Sequence, residues 1–155
     1  MSVKDIVQKQ YQQIVNTSAS SANQLVMPAE GWLITARKAL GMSAAELARR
    51  MGKSRALVSQ TEKAEQEGGV TLKTMTAMAE AMNCKFVYAI VPEDSMEAVL
   101  SDQARKKAKQ LVERSSTHMA LEDQALSKHE MVQEIERLAK ELLRDMPSDF
   151  WKDYL

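Results

Sequence analysis

The chain has 155 residues, 45% hydrophobic and only 5% aromatic, with one cysteine and a formal net charge of zero. That length suits one or two small domains, the apolar fraction supports a packed core rather than wholesale disorder, and the wealth of Ala, Met, Leu, Glu and Lys favours helix. One cysteine excludes a disulfide framework within the chain and fits a reducing compartment, the first residues carry no apolar run of the signal-peptide kind, and no stretch reaches the ~20 apolar residues of a membrane span.

In chain order, Val3 to Val15 predicts a short amphipathic helix with Ile6, Tyr11, Ile14 and Val15 apolar. Asn16 to Asn23 (NTSASSAN) reads as a polar linker of small residues, and residues 24–30 lead past Pro28 into sharper signals. Gly31 to Leu40 predicts a helix, with Gly41 at its C-terminal end and Ser43 suited to cap the next. Ser43 to Met51 is a second short helix with Leu47, Ala48 and Met51 inward. Gly52 makes a turn, Ser54 caps a third helix to about Glu65, and Gly68-Gly69 breaks it. Thr71 caps a fourth, Leu72 to Met82, with Leu72, Met75, Met78, Ala79 and Met82 at helical spacing.

The pattern then changes. Lys85 to Val91 (KFVYAIV) is β-branched and aromatic and predicts one strand ended by Pro92. A lone strand leaves its backbone groups unpaired, which favours pairing with its twin in a second subunit through Phe86, Val87, Tyr88, Ala89 and Ile90, or with residues 23–27 of the same chain. Ser95 caps a long helix to about Arg114, a break is expected at Ser115-Ser116-Thr117, and a last helix runs from Leu121 or Ser127 to Arg144. The tail after Pro147 carries Phe150, Trp151, Tyr154 and Leu155.

Charge is uneven along this order. Residues 31–60 hold six basic residues and one acid, Glu46, whereas residues 115–155 hold five basic residues and nine acids. One region attracts phosphate and another repels it. The run from Ser43 to Gln60 meets the needs of two short helices joined by a tight turn: Ala48 is small at the crossing, Gly52 permits the turn, and Leu47, Met51 and Val58 supply the apolar contact. Glu62 and Arg37 are placed to tie the first helix down.

This stretch resembles the Xre/phage-repressor superfamily of helix-turn-helix proteins over Gly31 to Cys84. One departure is Ala44, where a glutamine usually follows the helix-two serine. Carried over, the resemblance implies that Arg55, Ala56, Ser59 and Gln60 face the major groove. Arginine can bond guanine bidentately, glutamine can do the same to adenine, and alanine can meet a thymine methyl. Ser43, Arg50, Lys53, Ser54 and Lys63 are the expected phosphate contacts.

A closer resemblance rests on Pro28-Ala29-Glu30-Gly31-Trp32, Arg37 to Ser43 (RKALGMS), Thr71 to Met75 (TLKTM), Ala79 to Pro92 (AEAMNCKFVYAIVP) and His118 to Gln124 (HMALEDQ). Over about residues 28–124 the chain is similar to the family called mobile mystery protein A. In that family the helix-turn-helix protein is encoded beside one with a Fic domain, so the resemblance implies an antitoxin or autorepressor in a two-gene module.

Other features have plainer readings beside functional ones. Arg105, Lys106, Lys107 and Lys109 form either a solvated helix face or an auxiliary phosphate clamp. His118, one turn from Glu122, suits capping or packing, with partner contact as the alternative. Cys84 reads as a buried, inert thiol. Phe150, Trp151 and Tyr154 either fold back onto the last helix or dock a partner. The eleven methionines read as packing. No catalytic frame, phosphate loop or metal motif stands out.

The expectation is a mainly α chain: an N-terminal helix and linker over 1–27, a lambda-repressor-like helix-turn-helix domain over 28–84, then one β-strand and a helical dimerisation or partner-binding region over 85–155. Its expected work is non-enzymatic and cofactor-free: a cytoplasmic, nucleoid-associated homodimer that binds a palindromic operator, with a Fic-type toxin as a possible partner. A repressor answering to a small molecule or redox signal through 95–155 is a third reading.

Overall fold

A computed structural model describes residues 1–121 and 127–153. All its regular elements are helices: α1 (Val3–Ala22), α2 (Trp32–Ala39), α3 (Ala44–Met51), α4 (Arg55–Gln66), α5 (Leu72–Ala81), α6 (Met96–Leu121) and α7 (Lys128–Asp145). The chain divides into two compact units, residues 24–89 and residues 1–23 with 90–155.

The unit of residues 24–89 holds α2 to α5 around Leu33, Leu47, Ala48, Val58, Met75, Met78 and Met82. Each buried Leu, Val or Met contributes roughly 1.5–3 kcal/mol by leaving water. The helix starts are fixed locally. Ser43, Ser54 and Thr71 each accept a hydrogen bond from the backbone N–H three residues on, at 3.1 Å in every case. α3 ends at Gly52, which takes the left-handed φ of 65° that a side chain makes costly.

α2 starts differently. The Glu65 carboxylate, at the end of α4, accepts from the backbone N–H of Trp32 at 2.7 Å and of Leu33 at 2.9 Å. A negative group thus satisfies two amides at the positive end of the helix. Gly31 makes room for it: φ is +88°, and a Cβ there would sit 2.9 Å from Glu65 Oε1.

In the other unit, α6 and α7 pair through Ala104, Ala108, Ala139 and Leu142. Small alanines let the helices approach closely, and Phe150 folds back to fill the end of that seam. α1 lies along α6 by its polar and small face. Asn16 Oδ1 accepts from the Met96 N–H at 2.9 Å, its Nδ2 donates to Glu97 at 2.8 Å, and Ala19 is buried. Val3, Ile6, Tyr11 and Ile14 are exposed.

Several expectations are corrected here. The strand over Lys85–Val91 does not form; the segment from Cys84 to Pro92 carries no regular structure, and Val87, Tyr88, Ala89 and Ile90 are exposed. A strand exists only by pairing, and the described residues offer this segment no partner backbone. The expected linker 16–23 is helix as far as Ala22, with Asn23 its C-cap, because its serines bond back to their own helix (Ser18 to the Ile14 carbonyl at 3.1 Å, Ser20 to that of Thr17 at 2.8 Å) and Ala19 packs inward. The break at 115–117 is likewise inside α6, where Thr117 donates to the Glu113 carbonyl at 2.9 Å. α7 starts at the second of its two expected places, capped by Ser127. Cys84 is exposed rather than buried.

Candidate nucleic-acid interface

The candidate interface is built on α4. Its inward face places Val58 in the core and Glu62, only 4% exposed, against Arg37 of α2. Arg37 donates Nε to Glu62 at 2.9 Å and Nη2 at 3.1 Å, while its Nη1 donates to the Met42 carbonyl at 3.0 Å. This two-pronged pair joins α2, the turn before α3, and α4.

With the inward face fixed, the outward face follows from helical spacing. Arg55, Ala56, Ser59, Gln60 and Lys63 lie at i, i+1, i+4, i+5 and i+8, an arc of about 140° at 100° per residue. All five are exposed, as are Lys53 and Ser54 just before the helix. Among the described residues, the side chains of Arg49, Lys53, Arg55, Lys63 and Lys73 make no ion pair or hydrogen bond. Their charge is therefore uncompensated on the unit that carries it. Residues 24–89 hold nine lysines and arginines against six acids, and the rest of the chain carries the opposite balance.

The structure gathers most of the expected set and separates one. Ser43 and Ser54 use their hydroxyl oxygens as helix caps, which leaves each hydroxyl proton to donate to a phosphate oxygen. Arg50 lies elsewhere: its Nε donates to the Ala81 carbonyl at 2.5 Å and its Nη2 to Asn83 Oδ1 at 3.4 Å, so it holds the C-terminus of α5. Ala44 packs against the core from the first turn of α3.

Sequence reasoning passed over Lys73. It lines, with Lys53, Leu57, Thr61 and Thr74, a cleft of about 390 Å³ between α4 and α5. Two lysines flanking a cleft beside the outward face suit a phosphate backbone, and the signal was available in the lysine two residues after the Thr71 cap.

The C-terminal candidates fare differently. Phe150 is 1% exposed and belongs to the α6–α7 core, whereas Trp151 packs edge-on against it at 5.1 Å and stays 57% exposed. His118 is exposed on α6. Tyr154, Leu155 and Glu122 lie outside the described residues. In the basic cluster, Arg105 pairs with Glu136 at 3.4 Å and Lys106 with Asp153 at 3.1 Å. Lys107 is 2% exposed, with its ammonium donating to the Asp149 carbonyl and lying 3.5 Å from that residue's carboxylate. These cations serve the fold of their own unit. Among the described residues no group of His, Cys, Asp and Glu is placed to hold a metal, and no helix is long and apolar enough to cross a membrane.

Residues 33–88 match the family model described as Helix-turn-helix. No characterised protein and no solved structure matches the chain. The matched stretch spans α2 to α5 and the whole exposed arc of α4. Residues 33–88 are thus an Xre-type helix-turn-helix domain, the module of a DNA-binding transcription regulator.

Proposed function

We propose that the protein is a sequence-specific repressor that reads an operator with α4. One observation carries this. The inward face of α4 is locked by Val58 and the Arg37–Glu62 pair, while Arg55, Ala56, Ser59 and Gln60 stand exposed on the arc that adjoins it. A fixed helix with a free polar arc is what base reading in the major groove requires, and Lys53, Ser54, Lys63 and Lys73 around it are suited to phosphates. In this reading the protein binds rather than catalyses, and works in the cytoplasm on the nucleoid.

The working form is a homodimer on a palindromic site. Support comes from the run of residues 86–90 that leaves the domain, where Val87, Tyr88 and Ile90, the last 91% exposed, present large apolar surface to solvent. Two copies place two reading helices about one DNA turn apart, ~34 Å. The similarity to the mobile mystery protein A family adds autoregulation of an operon shared with a Fic-type protein. A second reading, an antitoxin that holds that Fic-type partner, draws on Trp151, a large exposed aromatic seated on a rigid Phe150 base.

Footprinting on DNA upstream of the protein's own gene, with sedimentation in parallel, tests the proposal. Two protected half-sites centred one turn apart, bound by two chains, support it. Uniform protection without half-sites, or binding by a monomer, overturns it. Copurification with the Fic-type protein, lost in Trp151→Ala, separates the second reading from the first.

A further inference from the structure

The domain of residues 24–89 also carries an apolar cleft of about 280 Å³, open to solvent where Leu25, Lys85 and Val87 are exposed, that the reading head does not use. α2 contributes Trp32, Leu33 and Ala36, and α5 contributes Met75, Ala79 and Met82. Ala36 and Ala79 are the reason for the space: two methyl groups stand where larger side chains would have filled the gap between the helices. Leu25, on the chain entering the domain, and Phe86 with Val87, on the chain leaving it, complete the wall. An apolar cleft of this kind takes apolar ligands by removing their surface, and its own, from water. Its volume lies just under the ~300–1,000 Å³ typical of drug-sized ligands, so its occupant is small.

The polarity of the lining narrows the chemistry. Among the described residues, Lys85 is the one charged side chain that lines the cavity. Its side chain makes no ion pair or hydrogen bond among the described residues. A lysine can lay its methylene stem along an apolar wall and present its ammonium at the edge. An apolar wall with one uncommitted cation matches a small amphipathic acid: a hydrocarbon or ring body with a single carboxylate.

We infer that this cavity is a binding site for a small apolar carboxylate, held by its body among Trp32, Met75, Met82 and Phe86 and by its acid group on Lys85. The site is separate from the DNA-reading arc and does not depend on the repressor reading.

Two residues of the wall report on it without DNA. Trp32 is one of two tryptophans, so a Trp151→Phe background isolates its fluorescence. Cys84, the single cysteine, lines the cavity and is exposed to alkylation. The full chain is titrated with octanoate below its micellar range, with octan-1-ol as the uncharged probe and acetate as the probe without an apolar body. Saturable quenching or a shift of Trp32 emission by octanoate, with slowed iodoacetamide labelling of Cys84, supports the site. Octan-1-ol and the Lys85→Met variant should each bind at least about tenfold more weakly, as expected for loss of a charge-assisted contact. Acetate should not bind, and Ala36→Leu, which fills the space, should abolish binding; should that variant fail to fold, Lys85→Met still decides. No saturable response, or equal binding of octanoate and octan-1-ol unaffected by Lys85→Met, overturns the proposal. So does protection of Cys84 that rises with protein concentration alone, which would assign the cavity wall to contact between two copies.

Discussion

Replacing Glu62 by Gln tests the mechanical basis of the reading helix. The Glu62 carboxylate is nearly inaccessible, at 4%, and takes two hydrogen bonds from Arg37, itself only 14% exposed. Removing one partner of a buried pair costs about 3–5 kcal/mol because the other charge stays buried. Arg37 retains its bond to the Met42 carbonyl and some contact with water, which reduces the expected loss to ~2–3 kcal/mol. For a domain of this size that is a fall of roughly 10–20 °C in melting temperature. The assay is urea and thermal unfolding followed by Trp32 fluorescence in a Trp151→Phe background, since Trp32 sits in the domain concerned. Arg37→Met with Glu62→Leu should recover at least about half the loss, because no charge is then stranded. A Glu62→Gln protein within ~0.5 kcal/mol of wild type would refute the argument, as would a double variant as unstable as the two single losses added together.

Three further outcomes are expected. Gly31→Ala should destabilise the helix-turn-helix domain by more than ~1 kcal/mol, since it strains a φ of +88° and crowds Glu65, and Glu65→Ala should cost ~1–2 kcal/mol as a lost cap; both are read by denaturant unfolding. Phe150→Ala should cost ~3–5 kcal/mol in the α6–α7 unit by opening a cavity, whereas Trp151→Ala should cost ~1 kcal/mol or less; thermal unfolding by circular dichroism separates them. The Ser2 backbone amide, and then its hydroxyl, hold the Asp5 carboxyl below its ordinary range. A lowered folded pKa stabilises above the unfolded value and is lost as pH falls through the folded one. Amide exchange in the first turn of α1 should therefore rise, relative to Ser2→Ala, only below about pH 4.

The sequence made the helix-turn-helix legible because its signals are local. Ser43, Ser54 and Thr71 cap within three residues and Gly52 marks its own turn; the Arg37–Glu62 pair, 25 residues apart, is the exception that was legible, from two charged residues aimed into an apolar core. What failed was non-local. The β-branched run 85–91 has strand composition, but a strand needs a partner that the described residues do not supply. The Glu65 cap on α2 spans 32 and 33 residues and has no signature in either segment alone. Lys107 looked like a solvated cation beside three others, yet its place between Ala104 and Ala108 on α6 puts it on the buried face. NTSASSAN looked like a linker because serine is a poor helix former alone, and packing against α6 overrode that preference. For Phe150 the sequence offered folding back onto the last helix beside docking a partner, and the choice between them depends on how the chain turns after α7.

The central claim is that the exposed arc of α4 reads bases, and its most direct test is a matrix of proteins and operators. Selection from random duplexes supplies a preferred site. Wild type, Arg55→Ala and Lys63→Ala are then measured against that site and its single-base variants across a salt series. The account predicts that Arg55→Ala loses about 1–3 kcal/mol on the preferred site and becomes indifferent at one base pair, whereas Lys63→Ala weakens all sites alike and lowers the salt slope by about one. Equal loss on every sequence for Arg55→Ala, with no relaxed position, would contradict it.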